Sequence, residues 1–298
     1  RGKYERMDTE FRMYYSYSSD IAQKDYEYKQ TSKGTSLKIR NDYCFAKYVE
    51  DKIINGKYSP DAIIGEIKEK GLYFETSICT KTLYNYIKRG LFINLTEKNL
   101  LFEEKLKQNN ERVRKRVKLP LARSIDERGP RIDDRIEFGH WEMDTVIGKK
   151  GTNECLLVFT ERKTRHEIIR RIKSRTQEHV VHEIDKMERE YQLFKKIFRS
   201  ITCDNGSEFV NYEAIERSCK NGNRTVLFFC HPYSSYERGS NENANSIIRR
   251  MIPRGYDIGK CSDEQIRRIE TWMNQYPRKI LGYKSSSELF SKEMEKMI

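Results

Sequence analysis

Proline is scarce in this chain, with 6 residues in 298, and tryptophan scarcer still, with 2. Together with only 16 glycines, that excludes collagen-like and low-complexity chains. Long apolar runs are missing too: the longest, residues 155–159 and 226–230, are strand-sized. With 35% charged residues and a mean hydropathy of −0.87, no membrane-spanning segment is expected. The seven cysteines are odd in number and scattered, and no C-x-x-C occurs. Neither a zinc knuckle nor a secreted disulfide framework is supported, so a reducing, cytoplasmic compartment is expected. No signal-peptide pattern and no internal repeat is visible. Residue 1 is Arg and the chain opens in mid-pattern, so an upstream segment is expected.

What is abundant is positive charge. Lys and Arg number 58 against 45 Asp and Glu, a formal net charge of +13. That excess suggests a polyanionic partner, with nucleic acid the leading candidate. Hydrophobic content is low at 37%, but 13 Phe and 19 Tyr can still build cores. At about 150 residues per domain, two domains are expected, with small extras.

Residues 1–36 are Tyr-rich, charged and short of aliphatics, which suggests an arm. A helix over 21–30, opened by Ser18 or Ser19 with Asp20, fits within it. Residues 37–91 read as three short helices. Leu37, Ile39, Tyr43, Ala46, Val49 and Ile53 recur at helical spacing, with Gly56 as a stop. Ser59-Pro60-Asp61 supplies an N-cap, a first-turn proline and a first-turn carboxylate for the second helix. The third, over 81–88, carries Lys81, Thr82, Asn85 and Lys88 and closes at Gly90. Two short helices joined by a turn, the second bearing DNA-reading residue types, form a helix-turn-helix pattern. The same pattern also suits any small helical bundle.

Residues 92–137 form a basic linker. Arg112, Arg114, Lys115, Arg116, Lys118 and Arg123 fall within twelve residues that contain no acid. Such a run is either a solvated linker or a phosphate-tracking one, and the two roles are compatible. Residues 138–250 alternate: strands over 140–148, 154–162 and 166–173, a helix over 178–192, a strand over 197–203, a helix over 209–220, a strand over 226–230 and a helix from near Asn241. This order predicts an α/β domain with a mixed sheet flanked by helices. Helices over 262–276 and 285–297 make residues 251–298 a helical extension.

Three carboxylates could do chemistry. Asp144 lies inside the first predicted strand, where acids are disfavoured. Asp204 ends a later strand, where α/β sheets place ligands, although Asp before Asn-Gly is also an ordinary turn former. Glu242 opens the following helix, where a carboxylate also suits the helix dipole. If the three converge, a divalent cation must neutralise them, and hard oxygen donors select Mg²⁺ or Mn²⁺. Two such ions, roughly 3.5–4 Å apart, support in-line attack at a phosphodiester. By strand alternation His140 and Glu142 share a face with Asp144, whereas Trp141 reads as core. Arg238, Asn241 and Asn245 surround Glu242 with donors suited to phosphate. Asn205 suits a turn or a DNA contact, Tyr233 and Tyr236 suit stacking or burial, and Glu237 competes with Glu242 as third carboxylate.

Four stretches carry a family resemblance: residues 139–145 (Gly-His-Trp-Glu-Met-Asp-Thr), 204–209 (Asp-Asn-Gly-Ser-Glu-Phe), 236–245 (Tyr-Glu-Arg-Gly-Ser-Asn-Glu-Asn-Ala-Asn) and 277–283 (Pro-Arg-Lys-Ile-Leu-Gly-Tyr). In this order they resemble the insertion sequence thirty (IS-thirty) family of bacterial DDE transposases. The helix-turn-helix stretches 58–63 and 82–84 fit the same family. The resemblance implies a ribonuclease-H-like, retroviral-integrase-like catalytic domain preceded by an all-α helix-turn-helix domain. It implies Asp144, Asp204 and Glu242 as a catalytic, metal-binding triad, and another helix-turn-helix upstream of Arg1. Met143, Ser235-Tyr236, Ser246 and Tyr276 depart from the family pattern, which spares the triad but touches substrate contacts. The expected function is a transposase that binds terminal inverted repeats in the bacterial nucleoid, then cleaves and joins DNA strands as at least a dimer. The alternatives are a DNA-binding regulator with an inert nuclease fold and a structure-specific DNA nuclease.

Overall fold

The computed structural model describes residues 3–31, 37–39, 42–100, 123–232 and 234–297. The linker residues Arg112, Arg114, Lys115, Arg116 and Lys118, and Tyr233, lie outside them. Contacts divide the chain into two compact units, residues 1–48 with 74–78, and residues 49–73 with 79–298.

The first unit holds a feature absent from the sequence reading, an antiparallel hairpin of β1 (Lys3–Met7) and β2 (Met13–Tyr17). Asp8 closes its turn by accepting from the backbone N–H of Glu10 (2.9 Å) and Arg12 (2.8 Å). Helix α1 spans Ser19–Thr31, as expected. The expected helix from Leu37 begins later, as α2 (Tyr43–Ile54). Asp42 sets that start: its carboxylate accepts from the N–H of Phe45 (2.9 Å) and Thr76 (2.7 Å) and ties the helix start to the 74–78 segment.

The second unit contains α3 (Pro60–Glu69), capped by Ser59, whose hydroxyl accepts from Ala62 N–H at 3.2 Å. Next comes α4 (Thr80–Lys88), which buries Leu83, Tyr86 and Ile87 and leaves Lys81, Asn85 and Lys88 exposed. One turn of helix, α5 (Pro130–Asp133), precedes the sheet. The strands β3 (His140–Ile147), β4 (Cys155–Glu161) and β5 (Glu167–Ile172) form an antiparallel meander. Helices α6 (Gln177–Glu190) and α7 (Phe194–Ile197) lead to β6 (Ser200–Cys203), and α8 (Tyr212–Glu216) to β7 (Val226–Phe229). Both later strands run parallel to β3, giving the order β5-β4-β3-β6-β7. Helices α9 (Gly239–Met251), α10 (Asp263–Gln275) and α11 (Ser286–Glu295) complete the unit.

Strand alternation sorts the core into two layers. Trp141, Met143, Leu157, Phe159, Ile201 and Cys203 face α6, α7 and α8. Val146, Leu156 and Val158 face α9 and α10, against Ala244, Ile248 and Met273. The same parity turns Glu142 and Asp144 towards α9. Side chains of α10 cover the edge strand β5: Glu167 N–H donates to Asn274 and Ile169 N–H to Glu270. Such cover blunts an open sheet edge. Among the described residues, no helix is long and apolar enough to cross a membrane.

Candidate active site

β3 and β6 are parallel neighbours, with His140, Trp141 and Glu142 opposite Ser200, Ile201 and Thr202. Continuing that register by two residues brings Asp144 level with Asp204, just beyond the end of β6. The structure thus places two of the sequence-predicted carboxylates side by side. Arg238, at the end of the turn before α9, lies between them. Its Nη1 is 3.4 Å from Asp144 Oδ1, and its Nη2 is 3.4 Å from Asp204 Oδ2.

Electrostatics follow from this arrangement. Burial pushes the Asp144 carboxyl above its usual range; Arg238 pulls it down and Asp204 pushes it up again. For Arg238, burial alone would lower the guanidinium, but Asp144 and Asp204 outweigh it and the net direction is upward. One half-buried cation is therefore held by two anions, the arrangement that makes crowding of like charges tolerable. Each carboxylate is also tethered: Asp144 accepts from Thr145 N–H (2.9 Å), and Asp204 from Gly206 N–H (2.9 Å).

Helix α9 is anchored on this face. Glu142, fully buried, pairs with Arg162 at 2.5 Å and accepts from the N–H of Asn241 at 3.0 Å, pinning the first turn of the helix. One turn on, Asn245 Nδ2 donates to Asp144 Oδ2 at 2.7 Å, and Arg249 Nη2 donates to the carbonyl of Ile147 at 2.6 Å. Of the expected phosphate donors, the side chains of Arg238 and Asn245 are thus engaged with the Asp pair, whereas Asn241 is held by its backbone N–H and its buried side-chain amide has no partner among the described residues. Glu242 is exposed, four positions after Arg238, and does not form a metal-sized group with Asp144 and Asp204. Among the described residues, no three His, Cys, Asp or Glu side chains stand close enough to hold one metal ion. The donor chemistry nevertheless fits a hard cation: two carboxylates on adjoining strands already share a positive group.

Trp141 is core, stacked on Phe198 at 4.6 Å. His140 bonds Ser200 Oγ at 2.7 Å, and its burial holds the imidazole below its usual range. Asn205 donates to Cys230 O at 2.8 Å, tying the loop after β6 to the end of β7. Glu237 is held by His231 at 2.7 Å, and Tyr236 is exposed. Glu208 is a residue the sequence reading passed over. Fully buried, it accepts from Thr145 Oγ1 (2.8 Å) and pairs with Arg175 (2.6 Å), linking the loop after β6 to the residue beside Asp144. Its position inside the 204–209 motif was the available signal.

Residues 134–235 match the model of the Integrase core domain family. The chain is 34% identical over 216 residues to a probable transposase for insertion-like sequence element IS1161 of Streptococcus salivarius, covering 71% of this chain and 58% of that protein. It is 31% identical over 249 residues to the transposase for insertion sequence element IS4351 of Bacteroides fragilis, covering 80% of this chain and 71% of that one. The transposase InsI for insertion sequence element IS30C of Escherichia coli is 28% identical, with 79% of this chain and 62% of that protein covered. The catalytic core of BIV integrase aligns at 18% identity and a TM-score of 0.41, over 54% of this chain and 99% of that one. With its integrase-core domain and its mixed, ribonuclease-H-like sheet, this chain belongs to the IS30-like family of insertion-sequence transposases.

Proposed function

We propose that the chain recognises the terminal inverted repeats of a mobile element and catalyses metal-dependent cleavage and transfer of DNA strands. The observation that carries this reading is one cationic group shared by Asp144, within β3, and Asp204, just past the end of the adjoining parallel strand β6. Asp144, Asp204 and Glu242 are the residues that would hold two Mg²⁺ or Mn²⁺ ions. When bound, such ions supply charge neutralisation at the scissile phosphate and at the attacking and leaving oxygens. The chain's own part is positional: Asn245 and Thr145 orient Asp144, and Glu142 fixes the helix that carries Glu242. Water attacks phosphorus at the element end and the 3′-oxygen leaves as a hydroxyl. That hydroxyl then attacks a target phosphodiester and displaces its 3′-oxygen, one phosphodiester exchanged for another. No side-chain nucleophile is needed.

Lys81, Thr82, Asn85 and Lys88 on α4 supply base and phosphate contacts, and the linker residues 112–118 add phosphate contacts. Pairing two element ends requires at least two subunits, and the reaction belongs in the cytoplasm, at the nucleoid. The test is strand nicking and joining on duplexes carrying the element's ends, with Mg²⁺ or EDTA. Joining retained in Asp144→Ala or Glu242→Gln would overturn the reading. A second reading, a DNA-binding regulator with an inert nuclease fold, draws on the exposed position of Glu242, which forms no metal-sized group with the Asp pair. It predicts specific binding without turnover, while a structure-specific nuclease would cut without joining.

A further inference from the structure

Two stretches of the sequence have no part in the carboxylate site: Ser59 to Asp61 at the start of α3, and the Pro277 to Tyr283 segment after α10. Both contribute to the wall of one cavity of about 530 Å³. Helix α9 contributes Asn243, Ile247 and Arg250, a stripe at helical spacing distinct from the Asn241 and Asn245 side that meets β3. One helix therefore borders the carboxylate pair and this cavity.

The lining is strongly cationic, with Arg135, Arg165, Arg250, Arg278 and Lys279 against a single acid, Asp61. Asp61 is already engaged, accepting from Thr80 Oγ1 at 3.2 Å and Tyr283 OH at 3.1 Å. Arg278 is 9% exposed, bonds Met273 O at 3.2 Å and lies 3.6 Å from Glu167, yet its Nε is buried with no acceptor. The Nε of Arg135 is likewise buried and unmatched. Arg165, 7% exposed, bonds Ser240 Oγ. Among the described residues, Arg135, Arg165 and Lys279 have no carboxylate within ion-pair distance. Burial, with Arg135 next, pushes the Arg165 guanidinium down to about 10. Arg135 and Arg165 also hold left-handed backbone conformations, at φ 59° and 62°, uncommon for such residues.

Buried donors without acceptors are costly, and clustered guanidinium groups repel one another. A ligand with several anionic oxygens answers both conditions, and planar guanidinium groups suit phosphate. The same lining holds Trp272 and Tyr276, ring centroids 5.2 Å apart and tilted by 52°, aromatic side chains of the kind on which bases stack. A phosphate beside a flat ring is a nucleotide. The cavity volume lies within the ordinary range for small-ligand sites, about 300–1,000 Å³.

We propose that this cavity binds a nucleoside phosphate, presented by the DNA strand that the carboxylate site works on. The assignment rests on DNA being the substrate. A strand is favoured over a free nucleotide because Arg238, at the carboxylates, runs directly into Gly239 and Ser240 of the cavity wall.

The test uses the full chain in EDTA, so that binding is read apart from strand chemistry. DNA carrying 5-iododeoxyuridine is crosslinked by light, and its affinity is measured by fluorescence anisotropy over a salt series. The variants are Lys279→Ala, on an exposed residue, Arg135→Asn, which tolerates the left-handed backbone, and the two combined, each checked by thermal melting. Expected are crosslinks on Trp272 or Tyr276, a loss of affinity of about tenfold in the double variant, and a salt slope shallower by about 1 per contact removed. Unchanged affinity and slope with crosslinks elsewhere would overturn the proposal. Competition by a deoxynucleoside monophosphate at millimolar concentration, without DNA crosslinks here, would overturn the strand assignment in favour of a free nucleotide. Failure of strand joining with these binding results intact would count against the carboxylate reading alone.

Discussion

Asn245 donates its side-chain N–H to the outer oxygen of Asp144 at 2.7 Å, so helix α9 fixes the orientation of a carboxylate on strand β3. Losing such a partner disorients the carboxylate without removing it. If Asp144 holds metal as proposed, Asn245→Ala lowers strand cleavage by about 10- to 100-fold, the usual cost of deleting a group that orients a metal ligand. DNA affinity in EDTA should stay the same. Cleavage within twofold of the parent would show that Asp144 needs no such support.

Arg238 neutralises two carboxylates that would otherwise face each other. Arg238→Ala is expected to destabilise the metal-free protein by about 3 kcal/mol, since removing one partner leaves uncompensated charge. The same change should enlarge the rise in melting temperature caused by added Mg²⁺, because the cation then meets two unpaired carboxylates. Thermal melts with and without Mg²⁺ measure both effects. An unchanged Mg²⁺ response would mean that the guanidinium and the ion do not compete.

Gly65 on α3 faces the ring of Tyr283, and a Cβ there would lie 1.9 Å from its Cδ1. Tyr283 is tied by its hydroxyl to Asp61, so the ring cannot swing away without losing that bond. Gly65→Ala should therefore cost about 1–3 kcal/mol, the range for an overpacked contact. Pairing it with Tyr283→Ala should recover most of the loss, since residues in contact are not additive. Denaturant melts of the three variants give the coupling directly, and strict additivity would contradict this packing.

The five strands of the sheet are legible in the sequence because their signals are local. β4 is buried along its whole length and opens on an apolar run over residues 155–159, and β3 announces itself through an acid where acids are rare. Helix α3 is legible from Ser59-Pro60-Asp61 alone. What is not legible depends on distant partners. The expected helix over 209–220 shrinks to α8 because Arg224, fully buried, donates to the carbonyls of Ala214 (3.1 Å) and Ile215 (2.7 Å), taking the place of continued helical turns. The β1–β2 hairpin escapes notice because its residues are mostly exposed and show no apolar alternation. Asp144 and Asp204 can be picked out by type and position. That Arg238 would lie between them cannot, since it depends on how the turn before α9 folds back over β3.

His166 stacks on Phe290, ring centroids 4.0 Å apart, and burial, with Arg278 next, pushes its imidazole down to about 4. In the unfolded chain the group titrates near 6.5. Between these values the unfolded state binds a proton that the folded state refuses, so stability falls as pH drops from about 6.5 to about 4. The full span amounts to about 3 kcal/mol. Glu167 acts in the opposite sense. Burial raises its carboxyl to about 7, so its contribution is present below about 4.5 and is lost as pH rises through 7. The two overlap, and His166→Phe separates them, because phenylalanine keeps the stacking surface and removes the titration. The stability difference between parent and variant should be flat above pH 7 and should move steadily in the variant's favour towards pH 4. Denaturant unfolding at half-unit pH steps gives that difference curve, and a curve flat throughout would mean that His166 is protonated as readily in the folded chain as in the unfolded one.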